Sequence, residues 1–153
     1  VAVIDFDVHH GNGTQAAFER DGDLFFASTH QSPLYPGTGA ADERGVGNIF
    51  NAPLRPDSGS GEFRDAMQSK LLPALYDFAP ELILISAGFD GHNDDPLANL
   101  RLFEADYAWV TTELCRIAAE KCAGRVVSTL EGGYDLNALA ASAAAHVGAL
   151  MAA

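Results

Sequence analysis

The chain has 153 residues, 21 acidic and 9 basic side chains and a formal net charge of −12. That charge repels phosphate backbones and argues against direct nucleic-acid binding, while no apolar run reaches the ~20 residues needed to cross a bilayer. At 48% hydrophobic residues, the composition is that of one folded domain with a real core.

The first segment, Val1–Phe6, reads as a buried strand that runs into the polar stretch DFDVHHGNGT. The chain does not begin with Met, and no basic-then-apolar leader precedes the strand. The expectation is therefore the C-terminal portion of a larger domain, with residues 1–153 forming part of it. A short helix over Gln15–Arg20 follows, then strands at Leu24–Ala27 and Ile49–Ala52. Between those strands, Gln31–Val46 is turn-rich and reads as a long surface loop, and Arg55–Gly61 as a shorter turn. Phe63, Met67, Leu71, Leu75 and Phe78 repeat at helical spacing and predict a helix. After a strand at Leu82–Ile85, Phe103, Tyr107, Val110, Leu114 and Ile117 predict a second one. A strand at Val126–Leu130 leads into a third, alanine-rich helix marked by Leu136, Leu139, Ala143, Val147 and Leu150. Short apolar strands alternating with helices imply an α/β fold with a parallel sheet packed against helices. Cys115 and Cys122 are about 10 Å apart along one helix, too far for a disulfide. Two unpaired thiols favour a reducing, cytoplasmic setting.

The candidate site comes from position. Asp5, Asp7 and His9 alternate, so they share one face if the first strand persists. Asp90 follows the apolar run LILISAG, and the cluster EGGYD, Glu131–Asp135, follows VVSTL. Parallel strands bring their carboxyl ends to one edge, where ligands of open α/β sheets bind. Taken singly, the aspartates could cap turns and the histidines could be satisfied core or surface groups. Taken together, two carboxylates and an imidazole point to a divalent cation, with Asp7, His9 and Asp90 leaving a position open for water. Tyr134 either packs or, beside such a metal, donates its hydroxyl to a developing oxyanion. The glycines of HGNGT permit a sharp turn there, and no Gly-Lys-Ser/Thr follows to suggest a phosphate loop.

Four ordered stretches, DFDVHHGNGT, STHQSPLYPGTG, SAGFDGHNDDPL and LEGGYDL, resemble the motifs of the histone deacetylase and acetylpolyamine amidohydrolase family. The Asn of HGNGT is similar to its class II and bacterial branch. The resemblance runs the length of the chain and implies a three-layer arginase/deacetylase-type α/β fold. It further implies Zn2+ held by Asp7, His9 and Asp90, with Tyr134 polarising the acetamide carbonyl of an acetyl-lysine or acetylated-amine substrate. Asp5 would orient a catalytic histidine and join a monovalent-cation site, K+ or Na+, with Asp7, His9, Ser28 and Thr29. A second monovalent cation would take carbonyls near Phe18, Asp21, Leu24 and Asn48. Asp95 matches a structural position. The family's tandem general-base histidines would lie upstream of Val1, so this segment alone is expected to be nearly inactive. The alternatives are a ureohydrolase of the same fold, which needs two manganese ions, and a non-catalytic scaffold.

Overall fold

A computed structural model describes residues 1–153. The elements run β1 (Ala2–Asp5), α1 (Asn12–Phe18), β2 (Phe25–Gln31), β3 (Ile49–Leu54), α2 (Ser60–Ala66), a π-helical turn (Met67–Leu71), α3 (Leu72–Phe78), β4 (Ile83–Ala87), α4 (Glu104–Cys122), β5 (Val126–Leu130) and α5 (Leu136–Met151). All five strands are parallel, in the order β3-β2-β1-β4-β5. The last strand forms where the sequence predicts it. β2 outruns its apolar stretch by four residues, through Ser28, Thr29, His30 and Gln31, all buried. No helix is long and apolar enough to cross a membrane.

Side-chain alternation sorts the sheet into two unequal faces. Ala2, Ile4, Phe25, Ala27, Ile83 and Ile85 point into the main core, which the helices α2 to α5 cover. The opposite face holds only a small cluster of Val3, Phe26 and Ile49, with Phe18 of α1 and half-buried Leu84 against it. Val127, in register with Leu84, is 56% exposed. On this face α1 packs over the inner strands, β4 is half covered and β5 is left exposed.

One helix departs from its sequence pattern instructively. Phe63, Met67, Leu71 and Leu75 are spaced by four and all are buried. In a regular α-helix such a stripe would drift about 40° per step, about 120° over the run. The π turn at Met67–Leu71 advances less per residue and cancels much of the drift. It also brings the Lys70 ammonium to the Asn51 carbonyl at the start of β3. Pro73 fits at the first turn of α3, and Ala79 ends it in the left-handed conformation before Pro80.

α5 turns Ala138, Ser142 and His146 inward and leaves Leu136 and Val147 of the expected apolar stripe exposed, and His146 ties it to its neighbours. The Thr111 hydroxyl donates to the Tyr107 carbonyl, so it must accept from His146 Nδ1–H at 2.6 Å. That leaves Nε2 to accept from the Ser128 hydroxyl at 2.8 Å. The imidazole is thus a neutral bolt joining α4, β5 and α5, and burial lowers its pKa.

Candidate metal centre

The strand does not persist to His9, contrary to the alternation argument. Asp5 Oδ1 accepts from the Asp7 N–H at 3.0 Å, and Asp7 Oδ1 from the His9 N–H at 2.8 Å. Two successive side-chain turns of this kind compete with the sheet ladder and end β1 at Asp5. The turns bring the expected residues together by another route. Asp7 Oδ2 accepts from the Gly132 N–H after β5, and Asp90 Oδ1 from the Val8 N–H. His9 Nδ1 lies 3.0 Å from Asp7 Oδ1 and 3.2 Å from Asp90 Oδ2.

Asp7, His9 and Asp90 each offer one ligand atom within 4.8 Å of the others. Asp90 is fully buried, and its Oδ2 has no hydrogen-bond partner. Desolvation, then the Asp7 carboxylate, pushes its pKa up to about 7. A buried, like-charged pair with an unpaired oxygen is a site that lacks positive charge. These donors fit a divalent metal. The close approach depends on Gly88 and Gly132, where a Cβ would overlap the Asp7 and Asp90 carboxylates.

The cluster opens into a cavity of about 430 Å³ lined also by Asp5, Glu131 and Tyr134. Tyr134 stands at the rim, 51% exposed. Partial burial and the nearby Asp90 and Asp7 carboxylates raise its pKa, which keeps the hydroxyl protonated. Asp95 holds the turn beneath it: Oδ2 accepts from the Tyr134 N–H at 2.8 Å and Oδ1 from the Leu97 N–H. The sequence placed Asp95 only as structural, and nothing local announces its contact 39 residues away.

Asp5 sits under the cluster, in register with Ser28 and buried. Desolvation and Asp7 raise its pKa well above the ordinary carboxylate range. No histidine contacts it, so within this chain it orients none. The Asp7 and His9 carbonyls accept no hydrogen bond, and Thr29 is buried close by in β2. The Ser28 hydroxyl is engaged with His30 Nδ1. A buried carboxylate with two unpartnered carbonyls beside it fits a monovalent cation. At the second expected cation position, the Phe18, Asp21 and Leu24 carbonyls do converge. Asn48 meets them with its side-chain amide, while its own carbonyl accepts the Phe26 N–H.

The loop between β2 and β3 is fastened beside the cluster by a network the sequence did not reveal. Gln15 Oε1 accepts from Asn51 Nδ2 and from His10 Nε2, so His10 Nδ1 accepts from the Thr38 hydroxyl. Glu43 takes the Gln15 amide and the Gly39 and Ala40 N–H groups. His30 Nε2 donates to the Gly39 carbonyl. At Gly39, φ is +89° and a Cβ would strike both imidazoles, so only glycine fits. His92 is buried at the start of the Asp95 turn, where its Nδ1 accepts the Asp94 N–H. With His146 bound as above, every histidine of the chain has a structural engagement.

Comparison with known proteins adds the following. A family model described as the histone deacetylase domain matches residues 1–150. Histone deacetylase 14, chloroplastic, of Arabidopsis thaliana is 45% identical, covering 99% of this chain and 37% of that protein. The histone deacetylase-like amidohydrolase of Pseudomonas aeruginosa is 46% identical, covering 88% of this chain and 37% of that protein. Among solved structures, the HDA15 HD domain superposes with a TM-score of 0.92 at 38% identity, over 99% of this chain and 44% of that one. The chain thus spans well under half the length of these relatives.

Proposed function

The chain belongs to the histone deacetylase domain family, and on that footing we propose that it carries the metal-binding part of a zinc-dependent hydrolase of N-acetyl amides. The substrate is an acetyl-lysine or acetylated-amine group, cleaved to acetate and free amine. The observation that carries this reading is the convergence of Asp7, His9 and Asp90 on a point where Asp90 Oδ2 has no partner.

Asp7, His9 and Asp90 would hold Zn2+ and leave a coordination position toward the cavity. Bound there, zinc supplies Lewis acidity toward the acetyl carbonyl and makes water a stronger acid. The chain's own groups do the remainder. The Tyr134 phenol, protonated and at the rim, donates a hydrogen bond to the carbonyl oxygen as negative charge builds on it. Asp95 fixes the backbone from which Tyr134 projects. Asp5, with Asp7, His9, Ser28 and Thr29, would hold K+ or Na+ beneath the zinc ligands and offset the accumulated negative charge.

No histidine here is free to take the proton of the attacking water, since His9 faces the two carboxylates and the others are bonded elsewhere. The general base would therefore come from the remainder of a longer polypeptide. Without it, the 153 residues alone would lose about 10²–10⁴ in rate. The two free, buried cysteines support a reducing compartment, the cytoplasm by this reading. The charge of −12 supports a reading without direct nucleic-acid contact.

The test is metal analysis of the intact protein with deacetylation assays on an acetyl-lysine peptide and an acetylated polyamine. One zinc per chain, with activity lost in Asp90→Asn, is expected. Two manganese ions per chain would transfer the reading to a ureohydrolase, and tight zinc without hydrolysis of either substrate would transfer it to a scaffold.

A further inference from the structure

The corner where α1 ends contains an arrangement of its own. Asn48 Nδ2 lies 2.8 Å from the Phe18 carbonyl oxygen, 2.9 Å from that of Asp21 and 2.7 Å from that of Leu24. An amide nitrogen carries two hydrogens, so three oxygens share two donors. Asn48 is 5% exposed, and its Oδ1 is buried without a partner beside Gly45. Leaving that oxygen orphaned costs free energy, yet the reverse orientation would place four oxygens face to face. The carbonyls therefore dictate which end of the amide points inward. The fourth oxygen expected of a cation site here, the Asn48 carbonyl, accepts the Phe26 N–H with one of its two lone pairs.

A monovalent cation does not fit this cage as the chain builds it, because the space at its centre already holds an N–H donor. We propose that the Asn48 amide is a built-in substitute for the second cation: its hydrogens supply the positive charge density that gathers the end of α1, the turn to β2 and the start of β3. This corner is then independent of salt, in contrast to the cluster around Asp5. The inference stands on hydrogen-bond geometry alone and survives or fails separately from the deacetylase reading.

Asn48→Asp tests it with almost no change in shape. The substitution replaces the donor with a carboxylate oxygen and converts the cage into one that requires a cation. In the intact protein, the thermal midpoint of Asn48→Asp should fall by roughly 5–10 °C in tetramethylammonium chloride. It should recover in KCl by more than the wild-type midpoint changes between the same salts. Equal salt responses of variant and wild type at equal stability would overturn the proposal. Should the variant fail to fold in either salt, crystals of the wild type grown in RbCl decide. Anomalous density between the Phe18, Asp21 and Leu24 oxygens, with the Asn48 side chain swung away, would refute the substitution. Its absence, with Asn48 in place, is the expected result.

Discussion

The acid cluster at the strand tips and the carbonyl cage at the end of α1 are both oxygen-lined, and they answer the same electrostatic problem in opposite ways. At the cluster, three backbone N–H groups reach both oxygens of Asp7 and one of Asp90, and Asp90 Oδ2 is left over. At the cage, a side chain brings the missing hydrogens and gives up its own oxygen instead. Oxygen content alone does not mark an ion site. The count of hydrogens against lone pairs does, and it separates a place that recruits charge from one that has been closed without it.

The largest expected effect breaks the cluster side. Asp90→Asn removes one ligand and one of two like charges, so zinc retention should vanish and kcat/KM fall by about three orders of magnitude or more. Zinc content and kinetics measure this, and Asn48 variants assayed alongside should keep their zinc. Next, Tyr134→Phe deletes a rim donor without touching the oxygens. A loss of about 10²–10³ in kcat is expected at unchanged zinc content, and a change in zinc content would show that the phenol belongs to the ligand shell. Asp95→Ala should cost about 10–100-fold in kcat with zinc retained, because it releases the backbone beneath Tyr134 and leaves the hydroxyl present. An effect equal to Tyr134→Phe, absent from the double variant, would identify the two as one unit.

The smallest effect concerns groups satisfied while neutral, as the cage is. His30, pushed down to about 4 by burial and by neighbouring His10, and His146, lowered by burial, bind fewer protons folded than unfolded. Their stability contribution is full above the unfolded pKa of about 6.5 and is lost as pH falls toward the folded value. At pH 5.5 the His30 contribution should have lost about 1 kcal/mol, a few degrees of thermal midpoint, and His146 should add a loss of the same sign. His146→Gln should flatten the dependence, and an unchanged slope would place the protons elsewhere.

Much of this was readable from residue order. Apolar strands followed by acids located Asp7, His9 and Asp90, because parallel strands leave little freedom in where their ends meet. Their path was not readable. The sequence pattern suggests an extended β1 through His9, whereas Asp5 and Asp7 capture the following N–H groups and end the strand. Hydrogen-bond partners far apart in the chain, such as Asp95 with Tyr134 or Glu43 with Gln15, leave no periodic trace. Nor does an amide that turns inward: residue type does not say that the Asn48 side chain will meet the Phe18, Asp21 and Leu24 carbonyls.

The wide turn at Met67–Leu71 acts as a spare link in the chain of helical turns. Removing one exposed residue there, Ser69, would let the segment relax to regular α-helix with the following turns still in phase. The same excision within α4 would swing every downstream side chain by about 100° and turn its buried stripe toward water. Length variation in this protein should therefore be forgiven at that coil and punished in its longest helix.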